Sequence, residues 1–180
     1  MFLKTHNASD RLRIWREIRQ KEHLSIESVV EEFSNIIILS RYLDYYTPKS
    51  WPDPFEILSE GYLCQTGVTL LLTSTLINKG FITSEELYFP VISNNINGDS
   101  GIVLLDDNNV YNFTSGKIES WEFVKENATV FQTHKLNKNK LSYWLLYSFI
   151  VELFCDKYYF TIQKQQGKIH TCKLRKETAH

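Results

Sequence analysis

Between Gly61 and Gly80 the chain reads YLCQTGVTLLLTSTLINK, and its middle, GVTLLLTSTLI, is apolar nearly all round a helix, relieved only by Thr and Ser. A helix of that kind has no face to give to water, so other elements must cover most of its circumference. The chain is therefore predicted to build its fold around a buried helix over about residues 64–78. Its 180 residues suit one domain. A hydrophobic content of 43%, with 14% aromatics, supplies a sizeable core and excludes a disordered chain.

The segments before this helix read as helical. Asn7, Ser9 or Asp10 is placed to cap a first helix, in which Leu12, Trp15 and Ile18 recur at helical spacing. Ser25 then caps SIESVVEEFSNII, with Val29, Val30, Phe33, Ile36 and Ile37 on one face and Glu27, Glu31 and Glu32 toward water. SRYLDYYTPKSWPDPFE carries three prolines and is predicted to be a rigid connector, with Tyr42, Tyr45, Tyr46 and Trp51 expected to pack it down. It ends on a start signal: Asp53 as N-cap, Pro54 as first helical residue and Glu56 as the reciprocal acid of a capping box. The short helix PFEILSE stops at Gly61, a natural left-handed C-cap.

After Gly80 the periodicity changes. ELYFPVIS, GIVLLDD and NVYNF are short β-rich runs, the last two joined by the turn residues Asp107, Asn108 and Asn109. WEFVKENATVF fits either a short helix or a passage from helix to strand. Residues 141–155, LSYWLLYSFIVELFC, predict a strong helix, and YYFTIQK with KIHTCKLRK a terminal hairpin split by Gln166-Gly167. The expected class is α+β: a helical N-terminal half, then a central buried Cys-bearing helix on a small antiparallel sheet. One domain spans 1–180, with a helical hairpin over 1–40 packed on a core over 41–180.

Charge narrows the partners. The net charge of −1 argues against nucleic acid as the main partner. Its distribution is uneven, with 8 basic and 10 acidic residues over 1–61, 3 and 8 over 62–130, and 9 and 3 over 131–180. Two differently solvated faces explain this most simply; pairing within the fold or head-to-tail between copies is the alternative. Residues 141–155 contain Glu152 and fall short of the ~20 residues a membrane span needs. No signal peptide is visible in MFLKTHNASDRLR. Cys64, Cys155 and Cys172 are odd in number and widely spaced, which speaks against a structural zinc site and for free thiols in a reducing, non-secretory setting.

Cys64 is the one residue whose position suggests chemistry. A helix N-terminus stabilises a thiolate, and a nucleophilic thiol needs a base in reach, usually His, oriented by a third polar group. The alternative is a small buried hydrophobe filling a core. A Cys opening a helix, followed by an antiparallel sheet, resembles the transglutaminase-like branch of the papain-like fold over roughly residues 41–115. SWPDPFEILSEGYLC is also similar in pattern to small proteins of tailed bacteriophages in which a Trp-Pro-x-Pro segment leads to such a Cys helix. The resemblance implies a His on the strand after the Cys helix and an Asp on the next. The chain departs from that pattern: no His occurs between His23 and His134, Ser100 or Gly101 stands where the His would, and Asn112 where the Asp would. Neither Ser nor Gly takes a proton from a thiol near neutral pH.

His134, in VFQTHKLN with Asn137 and Asn139 nearby, is the substitute base to test, although its lysine neighbours suggest exposure. His170 belongs to the basic terminal segment. Asp106-Asp107 reads as a hairpin turn without metal partners, Glu85-Glu86 as a strand start, and Gly98-Asp99-Ser100-Gly101 lacks the spacing of a phosphate loop. No cofactor is expected. Two functions follow. The first is a non-catalytic structural or interaction protein on a degenerate transglutaminase-like fold, which the phage resemblance places in a virion or host cytoplasm as a particle component or accessory. The aromatics of residues 141–155, Tyr143, Trp144, Tyr147 and Phe154, would then meet protein partners or a second copy. The second is a cysteine-dependent enzyme acting on amide or peptide bonds, with Cys64 as nucleophile.

Overall fold

A computed structural model describes residues 7–38 and 41–139. The chain divides into two units, Met1–Trp144 and Leu145–His180, and all described residues belong to the first. The expected helix over 141–155, the terminal hairpin, His170, Cys155 and Cys172 lie outside the described residues.

Local signals set the helices. Helix α1 (Ala8–Gln20) is capped by Asn7, whose Oδ1 accepts from Ser9 N–H at 2.9 Å, and it buries Arg11, Trp15 and Ile18. Helix α2 (Ile26–Ser34) is capped by Ser25 and buries Val29, Val30 and Phe33. It stops three residues short of the apolar run: Asn35 is its C-cap, Ile36 still enters the core, and Ile37 is 38% exposed. The connector contains one 3-10 turn (Pro48–Ser50). Helix α3 (Pro54–Glu60) has Asp53 as N-cap, accepting from Glu56 N–H at 2.9 Å, and ends on Gly61 at φ +76°.

Helix α4 (Gln65–Asn78) is the centre. Every residue from Thr66 to Leu76 is buried. Its hydroxyls are accommodated by hydrogen bonding: Thr73, Ser74 and Thr75 donate to the carbonyls of Thr69, Leu70 and Leu71 at 2.8, 2.9 and 2.8 Å. Thr75 Oγ1 also accepts from the indole N–H of Trp15 at 3.0 Å, which pins α1 to α4. Back-bonded hydroxyls of this kind leave no polar atom stranded in an apolar layer.

The sheet is antiparallel throughout. Strand β1 (Glu86–Asn94) pairs on one side with β6 (Ala128–Asn137). On the other side it pairs with β2 (Ser100–Ile102) and β3 (Leu104–Asp106), one run interrupted at Val103, whose N–H still reaches Pro90 O at 3.1 Å. Strands β4 (Asn109–Tyr111) and β5 (Ile118–Ser120) continue outward, and Asp107 at φ +52° turns the β3–β4 hairpin. The ambiguous WEFVKENATVF resolves into helix α5 (Trp121–Asn127) followed by β6. Among the described residues, five α-helices and six strands make the class α+β.

One face of the sheet, through Leu87, Phe89, Val91, Ile102 and Leu104, shares the main core with helices α1–α4. The other face, through Ile92, Val103 and Val110, forms a smaller core with Phe113 and with Val124 of α5. The apolar helix that dominates the sequence is thus the middle of the larger layer, as its composition requires.

Candidate functional site around Cys64

The site starts at the end of α3. Gly61 and Tyr62 both donate their N–H to Ile57 O at 3.0 Å, closing the helix in the left-handed turn that glycine permits. Three further C-terminal carbonyls are taken by arginines. Arg11, buried in α1, donates Nε to Leu58 O at 2.6 Å and Nη2 to Ser59 O at 3.2 Å; Arg41 donates Nη1 to Glu60 O at 2.7 Å. Cations suit the negative end of a helix dipole. Burial, and secondarily the nearby Arg41, lowers the Arg11 pKa, so its charge is held there by these carbonyls against desolvation.

The chain then doubles back, and Cys64 is the N-cap of α4 with extended backbone (φ −87°, ψ 175°). Its side chain does not cap the helix. The thiol is 2% exposed, and Sγ accepts a hydrogen bond from Leu43 N–H at 3.4 Å. Cys64 therefore opens the buried helix as the sequence suggested, yet its sulfur faces the connector.

His134 contacts the same connector. It sits on β6 opposite Phe89, half-buried, with its ring edge-on to Trp51 at 5.5 Å. Its Nε2 lies 3.0 Å from Tyr45 O and 3.3 Å from Gln132 Nε2, so this ring nitrogen is engaged by the connector and by its own strand. Trp51 closes the set by donating its indole N–H to Asp44 O at 2.8 Å. Three successive connector residues, Leu43, Asp44 and Tyr45, are thus fastened by Cys64, Trp51 and His134. No hydrogen bond joins Cys64 to His134 or Asn112 among the described residues.

Asn112 sits just past β4 in the left-handed region, at φ +66°. Its Nδ2 donates to Thr69 Oγ1 at 2.8 Å and to Gln65 O at 3.3 Å, and its own carbonyl accepts from Gln65 Nε2. Thr69 Oγ1 in turn donates to Ile102 O at 2.8 Å. This reciprocal clasp ties the first turn of α4 to β2 and β4. Gly101 lies against the same turn: a Cβ there would stand 2.9 Å from Gln65 Cγ, 3.2 Å from Gln65 Cβ and 3.4 Å from Thr66 Oγ1. The strand position facing the Cys helix has no side chain, and the space for one is filled by Gln65. Gln65 was not legible as a site residue, because its partners lie 47 positions away.

Removing the clasp tests its weight. Asn112→Gly keeps the left-handed backbone and deletes two side-chain hydrogen bonds. It is expected to cost about 1–2 kcal/mol, measured as a lowered urea midpoint, whereas an unchanged midpoint would show the clasp to be ornamental.

An open groove of about 480 Å³ is lined by Ser84, Glu85, Glu86, Tyr88, Leu105, Asp106 and Asp107. Its charges are partly engaged: Ser84 Oγ donates to Asp106 Oδ1 at 2.7 Å, and Glu86 pairs with Lys135 at 2.7 Å, a contact that lowers the Glu86 pKa. Among the described residues no group of three or more His, Cys, Asp or Glu side chains is placed to hold a metal ion, and no helix is long and apolar enough to cross a membrane. Compared with known proteins, the chain matches no family model, and no curated protein matches it.

Proposed function

We propose that this is a non-catalytic structural or interaction protein, a bacteriophage particle component or accessory on a degenerate transglutaminase-like fold, working inside a larger protein assembly in the virion or host cytoplasm. The observation that carries this reading is the environment of Cys64. Its sulfur is sealed from solvent and takes the Leu43 N–H, the facing strand position is Gly101, and His134 Nε2 contacts Tyr45 O and Gln132 Nε2. A nucleophilic thiol needs the opposite of each: access, a base with a free lone pair toward sulfur, and room for substrate. The phage assignment rests on the similarity of SWPDPFEILSEGYLC to phage proteins of that pattern. Protein partners are supported by exposed apolar side chains, with Tyr42 78%, Ile38 56% and Phe131 55% exposed.

The competing reading is a cysteine hydrolase or acyltransferase using Cys64, supported by its position at the start of α4. Iodoacetamide labelling followed by peptide mapping decides between them. Native Cys64 is expected to label far more slowly than in urea, with the rate following global unfolding. Labelling of the native thiol as fast as in the unfolded chain would bring the enzyme reading back. For the assembly, sedimentation of the protein with the products of neighbouring genes should give a joint species; a monomer under all such mixtures counts against it.

A further inference from the structure

The turn between β1 and β2 carries a chemistry that the site does not use. Residues 95–99 read NINGD, and each of them is exposed. Gly98 sits at φ +79° with nothing within 4 Å of where a Cβ would stand. The Asn97 amide is held rather than free: Asp99 N–H donates to its Oδ1 at 3.0 Å. The turn is closed by Asn94, whose N–H reaches Asp99 O at 2.7 Å and whose carbonyl accepts from Gly98 N–H at 2.8 Å.

We propose that Asn97 is a site of spontaneous covalent modification, converting in the folded protein to aspartate and isoaspartate through a cyclic imide formed with Gly98. The Gly98 backbone nitrogen attacks Asn97 Cγ. The new N–Cγ bond forms, the Cγ–Nδ2 bond breaks, and ammonia leaves carrying the proton that Gly98 gave up. A solvent water molecule then opens the ring at either carbonyl, giving aspartate from one and isoaspartate from the other. The geometry assists in two ways. A glycine on the attacking side presents no Cβ to obstruct ring closure. The Asp99 N–H lies on the oxygen where negative charge develops in the tetrahedral intermediate, the arrangement that stabilises such oxyanions. The bond from Gly98 N–H to Asn94 O opposes attack and must open first, which the exposed tip of a loop allows.

Neighbouring asparagines lack this combination. Asn95 precedes the branched Ile96, and Asn108 precedes Asn109, whose side chain stands beside the attacking nitrogen. The product adds a negative charge beside Asp99. The isoaspartate form also routes the main chain through the side-chain carbon, lengthening the turn that spaces β1 from β2 and its Gly101.

The test incubates the native full chain at mildly alkaline pH and maps its peptides by tandem mass spectrometry, with isoaspartyl methyltransferase labelling as the second readout. The expected result is conversion at Asn97 ahead of every other asparagine, with both isomers present. Gly98→Ala should lose that conversion over the same period, its thermal melt serving to show that the protein is still folded. An intact Asn97 peptide, earlier conversion elsewhere, or an unchanged rate in a folded Gly98→Ala protein overturns the assignment.

Discussion

Replacing Gly67 with alanine is expected to destabilise the protein by about 3 kcal/mol or more, at or beyond the upper end of what overpacking usually costs. In an ordinary helix interior the same change would stabilise by about 1 kcal/mol, because glycine is the weaker helix former. The sign reverses here because a Cβ on Gly67 would stand 1.8 Å from Tyr62 O and 3.0 Å from Tyr62 C. The obstacle is backbone, not the far end of a flexible side chain, so no rotamer change relieves it. The connector from Gly61 to Cys64 would have to lift from α4, taking Leu63, 1% exposed, and Cys64, 2% exposed, out of the core. Gly80→Ala is the useful comparison. Its φ of +74° makes a side chain strained, yet nothing lies within 4 Å, so its cost should stay near the roughly 1–2 kcal/mol of a left-handed residue. Urea unfolding of the two variants beside wild type checks the order. A Gly67→Ala protein at least as stable as wild type would mean that Tyr62 does not lie over the first turn of α4.

Gly67 also shows where sequence reasoning reaches its limit. What is decided within a few residues was legible: the caps at Ser25 and Asp53, a first cap narrowed to Asn7, Ser9 or Asp10, the stop at Gly61, and the burial of α4. Each follows from a local hydrogen bond, a fixed backbone angle or the absence of any polar helix face. The end of α2 was placed too late because Ile36 and Ile37 continue the apolar run, while Asn35 ends the helix and only Ile36 turns inward. The length of β6 was hidden for another reason. Most of its residues are exposed, so no alternation marks it, and its strand form comes from pairing along the whole of β1.

The site was legible in its parts and not in its connections. Cys64 at the head of α4 could be read from the sequence, and so could the missing His between His23 and His134. That Cys64 and His134 fasten Leu43 and Tyr45, within one connector, could not. Those bonds span 21 and 89 residues and are set by how the sheet and helices come together. The expectation that His134 stands exposed gave way for the same reason: Lys135 beside it pairs with Glu86, while the His134 ring packs against Trp51 and is half-buried.

The helix at the centre of the fold sets the second large effect. Leu70, Leu71 and Leu72 project about 100° apart around α4, from the pitch of 3.6 residues per turn, and are 0%, 0% and 1% exposed. All three directions are therefore filled, which happens only when neighbours enclose the helix. Leu71→Ala is expected to cost about 2–5 kcal/mol, the transfer of the lost methyl and methylene groups plus the cavity they leave. Alanine is itself the best helix former, so none of that loss would come from helix propensity. Against a typical total of about 5–15 kcal/mol, such a loss moves the thermal midpoint visibly. Two companions separate packing from other causes. Leu71→Met conserves volume and should cost under about 1.5 kcal/mol, and Ile77→Ala, on the half-buried fringe of the same helix, should cost less than Leu71→Ala. Calorimetry or urea unfolding of the three proteins reads the series directly. If Leu71→Ala melted with wild type, α4 could not be the enclosed element around which the rest of the chain is built.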